Sequence, residues 1–169
     1  MTAMRAAVLR AMGAPAPYAQ SRPLRIETVR LQPPGRGEVR VRVRAAGLCH
    51  SDLSVIDGSR PRPLPMLLGH EATGEVVELG EGVSGLRLGD QVVFSFVPMC
   101  GHCDPCACGR PVLCEAGAAA NARGTLLDGG TRLRLGLGDH GGHRFAIDGG
   151  IAQVQMRQPP QIVAQARAG

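Results

Sequence analysis

The chain has 169 residues, which is enough for one ordinary domain with a hydrophobic core and leaves little room for a second. Apolar residues make up 44% and charged residues 20%, as in globular proteins, while 24 glycines and 13 prolines favour short strands and turns over long helices. The net charge of +5 comes from 19 basic residues that are all arginine and scattered, and only 2% of residues are aromatic, so nucleic acid is not an expected partner.

Apolar and polar residues alternate along much of the chain, and this period of two predicts β-strands. In the stretch 39–45, the residues expected to face the core are Val39, Val41, Val43 and Ala45. A short helix is expected at 50–57, and prolines at 61, 63 and 65 prevent its continuation. The pattern indicates a mainly β domain, a compact barrel with short helices. Its strands are expected at 6–9, 24–31, 39–45, 74–79, 91–97 and 131–135.

The segment 136–169 lacks this alternation and is expected to be poorly structured or diverged. Residues 136–141 spell G-x-G-x-x-G, but no amphipathic helix pattern follows and position 161 is glutamine, so we do not expect a nucleotide site there. His140 and His143 are interpreted as loop residues.

The N-terminal residues carry no pattern of an export signal. Arg5 and Arg10 lie in a stretch without a continuous apolar run, and nowhere do about 18 uncharged apolar residues follow one another. The expectation is a cytoplasmic protein without a membrane partner.

Four cysteines form a pattern typical of a metal site. Cys100, Cys103 and Cys106 are spaced by two residues and Cys114 follows after seven, which supplies the thiolates of a closed, tetrahedral structural zinc site. Free or disulfide-linked cysteines are the alternative, but C-x2-C spacing without a secretion signal favours metal. Cys108 is too close to Cys106 to share one tetrahedron and is interpreted as a bystander. The segment 98–115 is therefore predicted to be a zinc-binding lobe.

A second group of candidate ligands lies upstream, in Gly-Leu-Cys-His-Ser-Asp at 47–52 and Gly-His-Glu at 69–71. Alone, such residues are more often packing or surface residues than ligands. Together with the cysteine lobe and the Gly-Asp pair at 89–90, they resemble the zinc-dependent medium-chain alcohol dehydrogenases. The resemblance runs from about Arg5 to Arg134 and implies that residues 1–135 form that family's catalytic, GroES-like β-barrel domain.

The resemblance implies a catalytic zinc bound by Cys49 and His70, with Glu71 beside the metal. The family takes a third ligand, a cysteine, from about a hundred residues beyond the Gly-His-Glu motif, and this chain has no cysteine after Cys114. Glu71 is the substitute that the sequence offers, and we expect such a site to hold zinc less firmly.

The residues after Cys49 match further positions of the family. Ser51 matches the hydroxyl that bonds the substrate alcohol and begins a proton relay, and Asp52 matches the carboxylate that accepts the ring N–H of the zinc-ligating histidine. Capping of the short helix is a second, compatible interpretation of both residues. His50 matches a basic position that meets the cofactor pyrophosphate, while Ser54 stands where many members have the histidine that ends the relay.

The resemblance implies an oxidoreductase that oxidises small alcohols to aldehydes or ketones by zinc-alkoxide formation and hydride transfer to NAD(P). No Rossmann domain is recognisable in these residues, so we expect the 169-residue chain alone to lack turnover. The alternative hypothesis is a stand-alone, non-catalytic zinc-binding interaction module. Partners compatible with the resemblance are a second copy of the chain or a subunit that carries a cofactor domain.

Overall fold

The computed structural model describes residues 1–96, 98–135, 146–147 and 161–166. Its strands are β1 Thr2–Leu9, β2 Leu24–Leu31, β3 Glu38–Gly47, β4 Met66–Leu67, β5 Glu71–Leu79, β6 Gln91–Val93, β7 Leu133–Leu135, β8 Ala146–Ile147 and β9 Gln161–Ala166. Its helices are α1 Tyr18–Ser21, α2 His50–Ile56, α3 Asp104–Ala107 and α4 Glu115–Arg123, with one 3-10 turn at Pro111–Leu113. None of the helices in this part of the chain has the length and apolar character needed to span a bilayer.

The strands form two sheets, which confirms the predicted mainly β fold with short helices. One sheet has the order β7-β2-β1-β4-β8 and the other the order β6-β5-β3-β9. Antiparallel ladders join β1 to β2 and β3 to β5. Buried apolar side chains from both sheets form the main core, which includes Val8, Val29, Leu31, Val39 and Val41.

A smaller apolar cluster supports α2. Val55 and Ile56 of this helix pack with Leu9, Met66 and Leu68, all of them buried. The helix is therefore anchored on β1 and on the segment that leads into β5, so it is held beside the beginning of β5.

Strand β3 follows the predicted alternation over only part of its length. Val39 and Val41 are fully buried, and Val43 packs on the core at half burial. The prediction for Ala45 is wrong, because this residue is exposed. The register of β3 against β5 shifts between Val43 and Ala45, and such a bulge changes the face to which the following side chains point.

The described part of the segment 136–169 contains two strands that the sequence pattern did not predict. Strand β9 pairs in parallel with β3, and β8 pairs in parallel with β4. The G-x-G-x-x-G run at 136–141, His140 and His143 lie outside the described residues, as does Val97 at the end of a predicted strand. The domain boundary at residue 135 stays a prediction.

A buried ion pair connects the two sheets. Glu38, at the first position of β3, is only 1% exposed, and its carboxylate accepts hydrogen bonds from the Gly35 amide at 2.6 Å and from two nitrogens of Arg132 at 2.9 and 2.6 Å. Arg132 immediately precedes β7, so the pair links positions that are 94 residues apart. A buried charge is costly unless it is paired, and the arginine therefore determines whether this carboxylate is tolerated.

Replacing Arg132 with alanine should lower the free energy of unfolding by about 3–5 kcal/mol, because Glu38 would remain buried without its counter-charge. The matched control is Arg10→Ala, which removes an exposed ion pair with Glu27 and should cost no more than about 1 kcal/mol. Urea unfolding followed by circular dichroism measures both. Similar losses for the two variants would contradict the structural role of the buried pair.

Candidate metal centres

Four cysteine thiols converge in the loop that follows β6. The sulfurs of Cys100, Cys103, Cys106 and Cys114 all lie within 4.8 Å of one another. Cys103 and Cys114 are separated by 3.8 Å between sulfurs. Four ligands at the zinc–sulfur distance of about 2.3 Å would be about 3.8 Å apart at the corners of a tetrahedron. The spacing is that of a closed tetrahedral zinc site.

Two short helices bring these thiols together. Cys103 immediately precedes α3, which contains Cys106, and the sulfur of Cys114 accepts a hydrogen bond from the Gly117 amide in the first turn of α4. A Cβ atom at Gly117 would lie 1.7 Å from the Pro98 carbonyl oxygen, so only glycine allows the two segments to approach this closely. The importance of this glycine cannot be seen in the sequence, since it depends on a neighbour 19 positions away.

Two adjacent thiols of this cluster have pKa values shifted in opposite directions. The pKa of Cys100 is lowered to about 6, first by the amide of His102 and then by that of Cys103. At Cys103, the amide of Cys106 lowers the pKa, but burial and the three neighbouring thiols outweigh it and raise the pKa to about 12. Four adjacent sulfurs therefore cannot all ionise by themselves, whereas a divalent cation between them would stabilise four thiolates. The donor set fits zinc.

Cys108 does not join this cluster. It is exposed, lies at the C-terminal end of α3, and is absent from the group of sulfurs that could share an ion. His102 is also exposed, with its Nδ1 atom 2.9 Å from the Cys100 carbonyl oxygen. Neither residue belongs to the group whose ligand atoms could share one ion.

A second cluster forms where β3 ends and β5 begins. Gly47 is paired with Glu71 in the antiparallel ladder, so Cys49, two residues after β3, comes next to His70, one residue before β5. Ligand atoms of Cys49, His70 and Glu71 all lie within 4.8 Å of one another. His70 is 3% exposed, while Glu71 is exposed. The three residues can hold one metal ion with an open side.

Asp52 orients the imidazole of His70 through the ring nitrogen Nδ1. Its carboxylate, 2% exposed, lies 3.4 Å from Nδ1 of His70 and accepts hydrogen bonds from the amides of Cys49 at 2.9 Å and Gly69 at 3.3 Å. The bond to the Cys49 amide is a helix cap, so both interpretations of Asp52 describe contacts that it makes. A carboxylate on Nδ1 leaves Nε2 available as the metal-binding atom of the imidazole.

The other residues of the motif lie around the same point. The Ser51 hydroxyl is 3.4 Å from Nε2 of His70. The pKa of Cys49 is lowered, first by the Ser51 hydroxyl and amide and then by His70, which favours the thiolate that binds a metal. His50 begins α2 and is exposed, and the Ser54 hydroxyl donates to its carbonyl oxygen at 3.2 Å.

Two residues beside this cluster, Phe96 and Arg60, carry no signal in the sequence. The ring of Phe96 packs on His70 with 4.6 Å between centroids at an angle of 52°. Arg60 places its guanidinium carbon 5.5 Å from the centre of the Phe96 ring. The sequence contains only three phenylalanines, but nothing in it indicates which of them would reach His70.

An apolar cavity of about 240 Å³ lies next to the two glycines that flank the cluster, Gly47 and Gly69. The middle of β1, the end of β3 and the turn before β5 surround it. Its apolar lining includes Ala6, Val43, Leu48, Leu67, Ala72 and Phe94. Residues next to the ligands in the chain therefore line a space suited to hydrocarbon.

The chain belongs to the alcohol dehydrogenase GroES-like domain family, whose model matches residues 35–159. This match covers most of the chain and confirms the resemblance seen in the motifs. The chain thus combines the mainly β fold of a GroES-like domain with a cysteine cluster suited to zinc.

Among curated relatives, the chain is 42% identical over 124 residues to the NDMA-dependent alcohol dehydrogenase of Amycolatopsis methanolica, covering 73% of this chain and 33% of that protein. Among solved structures, it is similar to an alcohol dehydrogenase zinc-binding domain protein from Burkholderia ambifaria, with 42% identity, a TM-score of 0.75 and coverage of 90% and 37%. For benzyl alcohol dehydrogenase from Acinetobacter calcoaceticus these values are 34%, 0.69, 79% and 34%. The chain thus spans about a third of the length of its relatives.

Replacing Cys106 with serine should remove the zinc of the cysteine lobe and lower the melting temperature, because one corner of the tetrahedron is lost. Cys108→Ser is the matched control two residues away and should leave both quantities unchanged. Elemental analysis and thermal unfolding measure them. Equal zinc content in the two variants would show that the four cysteines do not form the site that holds zinc tightly.

Replacing Asp52 with asparagine should weaken zinc binding at the second cluster by about 10–100-fold, since the imidazole of His70 loses the negative partner of its Nδ1–H group. Asp57→Asn changes an exposed acid at the other end of α2 and serves as the control. Competition with a chromophoric chelator gives the affinities. A similar affinity in both variants would argue against the orienting role of Asp52.

Proposed function

We propose that this chain is the zinc-binding catalytic portion of an NAD(P)-dependent alcohol dehydrogenase that interconverts alcohols with aldehydes or ketones. The observation that carries the proposal is the grouping of Cys49, His70 and Glu71 with Asp52 behind the imidazole, in a chain of the alcohol dehydrogenase GroES-like domain family. Relatives named alcohol dehydrogenase and benzyl alcohol dehydrogenase support it.

The second cluster would supply the reacting metal. Bound there, zinc is a Lewis acid that lowers the pKa of an alcohol, so that the hydroxyl proton can leave near neutral pH. Cys49 would bind as a thiolate, His70 through Nε2 and Glu71 through a carboxylate oxygen. Because Glu71 is exposed, its contribution is weaker than that of a buried ligand, and this site should lose zinc before the cysteine lobe does.

The neighbouring residues would handle the proton and the cofactor. The Ser51 hydroxyl, next to Nε2 of His70, would take the substrate proton. Ser54 donates to the His50 carbonyl oxygen, so the next step for the proton is solvent rather than a side chain at position 54. His50, exposed at the start of α2, would meet the pyrophosphate of NAD(P), whose nicotinamide is the hydride acceptor.

The cysteine lobe would hold a second, structural zinc. Its four sulfurs leave no open position for substrate, and amide hydrogen bonds reach the sulfurs of Cys100 and Cys114. This metal would stabilise the loop between β6 and α4 and take no part in the reaction.

The test is alcohol binding to the cobalt-substituted 169-residue chain. Benzyl alcohol should change the visible absorption of the cobalt at the second cluster, because only a site with an open position admits a new ligand. His70→Gln should abolish the change, while His102→Gln, which alters an exposed histidine beside the cysteine lobe, should preserve it.

The same polypeptide, prepared alone, should show no steady oxidation of benzyl alcohol with NAD⁺, because the residues that the structure describes contain no βαβ nucleotide-binding unit. Steady turnover would contradict this expectation. Tight binding of metal without any response to alcohol would instead favour the non-catalytic zinc-binding module.

A further inference from the structure

The guanidinium of Arg60 lies against the ring of Phe96, which packs on His70 of the second metal cluster. Phe96 packs on His70 with 4.6 Å between ring centres, and the Arg60 guanidinium carbon lies 5.5 Å from the Phe96 centre. Together these contacts place the positive charge within about 10 Å of the imidazole. This distance is comparable to the length of a small aromatic molecule, so one substrate could reach both the metal and the guanidinium.

The backbone around Arg60 is well fixed. Its amide donates to the Ser54 carbonyl oxygen of α2 at 2.8 Å, and Pro61 follows directly and restricts the chain. The nearest acid in sequence, Asp57, accepts a hydrogen bond from the Ser59 amide at 2.8 Å within its own turn. The backbone at Arg60 is thus held by α2, and its guanidinium makes contact with the Phe96 ring.

The charge of Arg60 is not neutralised within the described part of the chain. Among the described residues, arginine ion pairs join other arginines to Glu27, Glu38, Glu75, Glu78 and Asp128, and none of these pairs involves Arg60. Arg62, two positions on, has a different task, since it donates to the carbonyl and side-chain oxygens of Asn121. A half-buried guanidinium on an aromatic ring keeps its in-plane N–H groups for another acceptor.

Resting on the function proposed above, we propose that Arg60 is a specificity-determining residue that binds a carboxylate on the substrate, at the end opposite to the reacting hydroxyl. The preferred substrates would then carry a hydroxyl or carbonyl group, a short apolar or aromatic body that lies along Phe96, and an anionic group. A guanidinium recognises carboxylate with two parallel hydrogen bonds, and the adjacent ring excludes water and strengthens the attraction.

The experiment compares two probes on the cobalt-substituted full chain, namely 4-(hydroxymethyl)benzoate and benzyl alcohol. From the usual strength of a charge-assisted hydrogen bond, the carboxylated probe should bind roughly 10-fold tighter, as measured by the change in cobalt absorption. Arg60→Met keeps an unbranched side chain on Phe96 and should remove the preference. Arg60→Lys should retain part of it, and Arg87→Gln, at an exposed turn between β5 and β6, should retain all of it.

The outcomes distinguish a failure of the role of Arg60 from a failure of the proposed function. Equal affinities of the two probes in the unaltered chain would overturn the role of Arg60 while leaving the metal site in place. A preference that survives in Arg60→Met would also overturn the inference. If the same variant loses binding of inorganic pyrophosphate, measured separately, Arg60 would be assigned to the cofactor. No cobalt response to either probe would overturn the proposed function and the inference together.

Discussion

The antiparallel register between β3 and β5 is the constraint on which the second metal cluster depends. Pairing of Gly47 with Glu71 places the residues just outside the ladder, Cys49 and His70, side by side although they are far apart in the chain. A slip of one residue would send alternate side chains to the opposite face and separate the ligands. The buried valines of β3 oppose such a slip, because it would expose them to water.

The two candidate centres hold the side chains that would bind a cation in different ways. In the cysteine lobe, amide groups lower the pKa of Cys100 while crowding raises that of Cys103, so the site is complete only with a cation at its centre. In the second cluster, the buried carboxylate of Asp52 holds His70 and leaves one side open. A closed set of four sulfurs suits a structural role, and an open set of mixed ligands suits chemistry on a bound molecule.

The centres are also mechanically connected. Arg62 donates to the backbone and side chain of Asn121 in α4, and Cys114 caps the N-terminus of the same helix. The segment that carries Arg60 toward Phe96 is therefore tied to the cysteine lobe. Metal binding in the lobe would help to keep this segment in place, in addition to stabilising its own loop.

Patterns that are local in the chain were determined by the sequence alone. Alternation predicted the main strands, C-x2-C spacing predicted the cysteine cluster, and the polar residues after Cys49 predicted the capping of α2 by Asp52, because each depends on residues that are close together or on a repeated local geometry. Only the tertiary structure decided the exposure of Ala45, the pairing of Glu38 with Arg132 across 94 residues, and the contacts of Phe96 with His70 and with Arg60. These features depend on a bulge and on packing between distant segments, and neither leaves a periodic signal in the amino-acid sequence.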